Sequence, residues 1–175
     1  GSFPSHGNSG LMWLLPKAAG KYDLNKTRPI ALMETLAKIY ERLWYNRIIK
    51  VMTDRDMLDP AQYGGIPGGG TTDPMQVLAG VLDDARLTKK QLHALSLDLS
   101  KAFDSVEYWS QAASWRAFGM PPGLISLLIE MDSGATTQVA LGGGRFTEPV
   151  AHGRGVRQGS ILGPLKWVVF MHWWI

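Results

Sequence analysis

The chain has 175 residues, 45% of them hydrophobic, with a formal net charge of +3 and a sequence pI near 9.2. That length and apolar content suit one core rather than two, and the mild positive charge permits a polyanionic partner without requiring one. With no cysteine there are no disulfides and no thiolate metal sites, and a reducing compartment is allowed. His6, His93, His152 and His172 show no ligand-like spacing. No signal peptide pattern opens the sequence.

In chain order, residues 2–10 are small, polar or glycine, and a disordered N-terminal segment over 1–10 is expected. The apolar run 11–15, closed by Pro16-Lys17, reads as a strand. A turn over 18–27 carries Lys21 and Lys26. From Leu32, the apolar positions Met33, Leu36, Ile39, Tyr40, Leu43, Trp44 and Ile48 recur at three and four, which predicts an amphipathic helix. Glu34, Lys38, Glu41, Arg42 and Arg47 fall on its polar side. Residues 54–70 form a connector ending in Gly-Gly-Ile-Pro-Gly-Gly-Gly. It is not a phosphate-binding P-loop, because Gly70 is followed by Thr71 and no lysine. A helix capped at Thr71, Thr72 or Asp73 follows, with Met75, Val77, Leu78, Val81 and Leu82 apolar.

The most informative stretch is 95–106, Leu-Ser-Leu-Asp-Leu-Ser-Lys-Ala-Phe-Asp-Ser-Val. Alternation sends Leu95, Leu97 and Leu99 to one face and Asp98 to the other, which predicts a half-buried strand with a carboxylate near its end. Ser100 is placed to cap a following turn. Asp98 in that position is either a metal ligand on a rigid strand or an acid capping the next helix. Further on, a helix is expected over 106–118 with Gly119 as its stop, and another from Pro121-Pro122 through Met131. A glycine-turn hairpin follows over 136–150. The basic, glycine-rich loop 153–160 then feeds an apolar helix over 161–175. That helix is too short to span a bilayer and holds Lys166 and His172, so no membrane association is expected. Strands and helices mix without regular alternation, giving an α+β class.

Four stretches together resemble the reverse transcriptase domain of non-LTR (LINE-type) retrotransposons. They are Leu14-Leu15-Pro16-Lys17; Arg28-Pro29-Ile30-Ala31-Leu32 with Lys38-Ile39-Tyr40-Glu41-Arg42; 98–106; and Gly155-Val156-Arg157-Gln158-Gly159-Ser160-Ile161-Leu162-Gly163-Pro164-Leu165. Gln62-Tyr63-Gly64 and Thr71-Thr72-Asp73 lie between them in the matching order. The resemblance implies right-hand polymerase fingers over about 11–90 and part of the palm over 91–175, with antiparallel palm strands and packed helices. It also implies an RNA template, a DNA primer, dNTP substrates, two Mg²⁺ or Mn²⁺ ions and an intracellular setting, nuclear or cytoplasmic.

By the same resemblance, Asp98 matches the first metal-binding aspartate and Leu99 the residue whose carbonyl helps hold a metal. Phe103 matches the aromatic steric gate against a ribose 2′-OH. Lys17 and Arg28 match the cations that hold the triphosphate, and Gln158 and Gly159 the loop against nucleotide and template. Lys21, Lys26, Arg154 and Arg157 are further candidates for phosphate contacts. Taken singly, these residues read equally as solvated charges, a core phenylalanine and a loop brace; Asp104 reads as a helix N-terminal acid.

The sequence also departs from the pattern. The family's aromatic-x-Asp-Asp hairpin is missing, since no Asp or Glu follows Glu148, and Gly65, Ile66 and Gly69 stand where an aromatic and two arginines are usual. Lys166 occupies a position that is generally apolar. These departures predict an incomplete polymerase with little or no activity alone. The alternative is a non-catalytic nucleic-acid-binding module derived from one.

Overall fold

The computed structural model describes residues 9–17 and 24–172. Strand β1 (Ser9–Pro16) pairs antiparallel with β2 (Thr27–Met33), placing Leu15 opposite Arg28 and Met12 opposite Ala31. The expected helix start at Leu32 is thereby corrected. Leu32 and Met33 complete the β2 ladder, and helix α1 begins only at Thr35, running Thr35–Asp54.

Helix α1 buries a different stripe from the one its apolar periodicity indicates. Ala37, Glu41, Ile48, Ile49 and Met52 face the interior, while Leu36, Ile39 and Leu43 are exposed. Glu41, expected on the polar side, is fully buried because it has hydrogen-bond donors there.

Helix α2 (Thr72–Thr88) forms where it is expected but buries no residue. The expected strand around Asp98 does not form. Residues 91–99 lie in no helix or strand and are exposed throughout, with Leu95 at 84% and Leu97 at 82%. A strand needs a paired neighbour for its backbone groups, and no described segment provides one. The Ser100 cap is not made either. The short helix α3 (Ala102–Ser105) starts after Lys101, which has φ +51°, and has no side-chain cap.

The helix expected over 106–118 forms, starting two residues later and ending one earlier. Val106 is extended and buried, and α4 runs Tyr108–Ala117, with Gly119 at φ +72° stopping it. Helix α5 (Pro122–Ser133) begins with proline at its first position. Strand β3 (Thr136–Gly142) turns through glycines at positive φ into β4 (Arg145–Phe146), and β5 (Val150–Ala151) returns antiparallel to β3. Helix α6 (Gly163–Met171) follows.

The strand order is β2-β1-β3-β4, with β5 also on β3. Within residues 91–175 the strand pairs are antiparallel, as expected, β3 with β4 and β3 with β5; the parallel pairing of β1 with β3 makes the sheet as a whole mixed. The core joins the buried side of α1 to Trp115, Leu128, Met131, Leu162, Leu165 and Val169 of the α4–α6 region.

Lys166 lies in this core at 2% exposure, and its ammonium is not unpaired. It donates to Asp132 Oδ2 at 2.6 Å and to the Leu128 carbonyl at 3.4 Å. No helix among the described residues is long and apolar enough to cross a membrane.

Candidate functional site

The β1–β2 ribbon gathers the first set of candidates. Its ladder continues past Pro16 and Thr27 into a hydrogen bond from the Lys17 N–H to the Lys26 carbonyl at 2.9 Å. Strand alternation puts Lys17 two residues beyond Leu15, the cross-strand partner of Arg28, so the cations at 17 and 28 share an exposed face. Trp13, at 49% exposure, belongs to the same face. Lys26 sits exposed at the end of a single 3₁₀ turn, Leu24–Lys26. Lys21 lies outside the described residues.

The loop 155–161 is docked onto β2 just beyond these cations. The Ala31 N–H donates to the Gln158 carbonyl at 2.8 Å. Gly159, at φ +125°, packs so closely on Ala31 that a Cβ there would overlap the Ala31 carbonyl oxygen. On the upstream side, the Gly155 N–H bonds the Val106 carbonyl and the Val156 N–H bonds the Phe103 carbonyl, both at 2.8 Å. These bonds join the loop to α3. A cavity of about 40 Å³ opens between the ribbon and the loop, lined by Met12, Ala31, Asp104, His152, Arg154 and Gln158 among others.

Phe103 is half-buried, and its ring stacks on Trp167 of α6 with centroids 5.4 Å apart and planes 24° from parallel. Asp98 and Leu99 lie in the exposed irregular segment 91–99. Arg154 is solvent-facing and pairs with Glu107 at 3.3 Å. Arg157 is different: at 5% exposure its guanidinium turns inward, donating to the Met131 carbonyl at 3.1 Å and facing Glu41 Oε1 at 3.8 Å. Its Nε and Nη1 have no hydrogen-bond partner among the described residues.

Two titratable groups near the loop are perturbed. Burial, reinforced by the Arg157 charge, pushes the His152 imidazole below its usual value of 6.5. Its Nε2 is hydrogen-bonded to Thr137 Oγ1. Burial, then the Asp132 charge, pushes the Tyr108 hydroxyl up to about 12, and that hydroxyl donates to the His152 carbonyl at 3.0 Å.

The metal question turns on the donor set. Among the described residues no three His, Asp or Glu side chains come together as a metal cage. Asp98 alone does not fit a two-ion site, because one carboxylate cannot balance two divalent cations.

Sequence reasoning missed Glu41, Ser160, Asp132 and Trp167. For Glu41 there was a signal: positions 37, 41, 48 and 52 lie on one helical face, and the other three bury.

The family model described as reverse transcriptase (RNA-dependent DNA polymerase) matches residues 15–175. The chain is 31% identical over 162 residues to the transposon TX1 uncharacterized 149 kDa protein of Xenopus laevis, covering 93% of this chain and 12% of that protein. It is 30% identical over 154 residues to the Pol polyprotein from the type-1 retrotransposable element R2 of Nasonia vitripennis, covering 87% and 14%. To the RNA-directed DNA polymerase from mobile element jockey of Drosophila melanogaster it is 29% identical over 174 residues, covering 97% and 18%. It thus spans less than a fifth of the length of these relatives. Over nearly all of its own length, however, the chain belongs to the reverse transcriptase family, and its relatives are the proteins of non-LTR retrotransposons.

Proposed function

We propose that this chain is the nucleotide- and template-holding part of an RNA-directed DNA polymerase, comprising fingers over about 11–90 and part of the palm over 91–175. The observation that carries this reading is the docking of the 155–161 loop on Ala31, next to the exposed cations of the β1–β2 ribbon.

The chemistry follows from the residue types. An incoming dNTP brings a polyphosphate that needs cations, and Arg28 can grip its oxygens through a bidentate fork while Lys17 adds a point charge. Lys21, Lys26 and Arg154 contact the backbone of an RNA template and its DNA primer. Gly159, lacking a side chain, lets a base or sugar approach the loop backbone next to Gln158. Phe103, whose ring stacks on Trp167, serves in this reading as the aromatic gate that crowds a ribose 2′-OH. Asp98 and the Leu99 carbonyl offer ligands to Mg²⁺ or Mn²⁺, but they do not make up a two-ion cage. The chain by itself therefore has little or no polymerase activity. Template-dependent incorporation by the purified chain, lost on Asp98→Ala, would overturn that.

The test is binding. Affinity for an RNA–DNA primer–template should fall with salt, each phosphate-contacting cation contributing about 0.9 to the log–log slope. Lys26→Ala should flatten it accordingly. Arg28→Ala should weaken dNTP binding by on the order of tenfold or more, the loss of a charge-assisted contact. Salt-independent or absent hybrid binding would sink the proposal. A second reading is favoured by the lack of a carboxylate cluster among the described residues: a non-catalytic nucleic-acid-binding module. Hybrid binding with no response to dNTP would select it.

A further inference from the structure

We infer that Glu41, a residue of α1 far from the nucleotide-facing loop in sequence, is a positioning residue that sets that loop's geometry. This rests on the reading of residues 158–159 as the nucleotide-facing part of the loop. Glu41 is fully buried. Its Oε2 accepts from the Ser160 hydroxyl at 2.9 Å and from the Ile161 N–H at 2.7 Å, across 119 and 120 residues of sequence. Its Oε1 faces Arg157 Nη2 at 3.8 Å.

Among the described residues the loop is held at four places, one of them the Arg157 guanidinium, which donates to the Met131 carbonyl. Phe103 and Val106 fix residues 155–156, Ala31 holds Gln158, and Glu41 fixes residues 160–161. Gln158 and Gly159 are suspended between these anchors. Glu41 and Arg157 act through side chains, and Glu41 is the one that bonds residues 160–161; the other anchors act through backbone groups that any residue supplies.

A carboxylate suits the position for a physical reason. It takes two donors on one oxygen and leaves the other toward the buried guanidinium, so the charges on Glu41 and Arg157 offset each other in the interior. An apolar residue there would leave a buried hydroxyl and a buried backbone N–H without an acceptor. The loop would then give up its seat on Ala31 or open to water. Arg157 is accordingly assigned to the interior of the loop's anchor rather than to a nucleic-acid phosphate.

The experiment compares the wild-type chain with Ser160→Ala, Glu41→Gln, Arg157→Met and the double variant Glu41→Leu/Arg157→Met. Three properties are read: hydrogen exchange over 155–162 and over α6, affinity for an RNA–DNA primer–template, and dNTP affinity of the hybrid-bound chain. The double variant removes both buried charges, so it folds even where Glu41→Gln leaves Arg157 uncompensated; because it also removes the Arg157–Met131 bond, it is read against Arg157→Met alone, and loosening no greater than in that variant overturns the inference. Expected for it are exchange over 155–162 faster by on the order of tenfold with α6 unchanged, dNTP affinity weaker by about tenfold and hybrid affinity within about twofold. Ser160→Ala, which keeps the Ile161 bond and the charge pair, should show the same pattern at reduced size. Wild-type exchange over the loop in the double variant, or equal acceleration over loop and α6, overturns the inference. A wild-type chain that binds no dNTP instead sinks the nucleotide reading, while loop-local exchange in the double variant still upholds the anchor.

Discussion

The two halves of the candidate site are built in opposite ways. The loop 155–161 is held by backbone bonds to α3 and β2 and by the Glu41 carboxylate, with the α4–α6 core behind it. Residues 91–99, which carry Asp98, bury nothing and belong to no sheet, and α2 just before them buries nothing either. Polar bonds to distant elements fix a loop without requiring regular structure. An alternating strand pattern fixes nothing until a neighbour pairs with it. The 155–161 loop is therefore defined by this chain's own contacts, whereas the position of Asp98 is not.

The strongest way to break the well-held half is through its buried charge pair. Asp132→Ala strands the Lys166 ammonium in the core, and a loss of about 3–5 kcal/mol in denaturant unfolding is expected. Asp132→Leu with Lys166→Met should restore most of that stability, because neither charge then remains buried. A double variant as unstable as the single one would show that the pair does more than cancel its own charges.

Gly159→Ala attacks the loop directly. An added methyl overlaps the Ala31 carbonyl, and the φ of +125° is strained for any L side chain, so a loss of about 1–3 kcal/mol is expected, with looser dNTP binding. Wild-type stability would mean that the loop does not sit on β2 in solution.

The difference between the halves also separates what could be read in the sequence from what could not. Helices α5 and α6, the β3–β4 hairpin and the Gly119 stop follow from local signals: proline at the first turn, apolar spacing and turn glycines. Asp98, Phe103, Lys17, Arg28 and the 155–165 stretch stood out by resemblance. The anchors did not. Glu41 bonds Ser160 across 119 residues, and Asp132 meets Lys166 across 34, so neither pairing leaves a periodic trace. The interior stripe of α1 is not legible in the apolar spacing because Leu36, Ile39 and Leu43 form an equally regular stripe that stays exposed. The leucine alternation at 95–99 was real as pattern but lacked a partner strand.

A smaller effect is expected from pH. His152 is held neutral by half-burial and by Arg157, with Asp132 and Asp104 opposing, so its folded value lies below its ordinary 6.5. Its contribution to stability is complete above 6.5 and is lost as pH falls toward the lower folded value, because the unfolded chain takes up the proton first. Compared with His152→Gln, which cannot titrate, the wild-type melting temperature should therefore drop further on acidification. A difference between the two that stays constant from neutral pH to well below 6.5 would show that the imidazole is not perturbed.

The smallest effect should come from the bare half. Leu97 is 82% exposed, so Leu97→Lys should change stability by no more than about 0.5 kcal/mol. Covered by a neighbour, the same side chain would contribute about 1.5–3 kcal/mol, and replacing it with lysine would forfeit that contribution. The two cases differ enough for one unfolding curve to separate them. A near-zero change means that the Asp98 segment is unsupported in this chain and that its carboxylate has no fixed position from which to hold a metal. A loss above about 1 kcal/mol would mean that residues 91–99 pack against something in solution. Repeating the curve over a range of chain concentrations then separates a second copy from the chain's own elements, since only the former makes stability concentration-dependent.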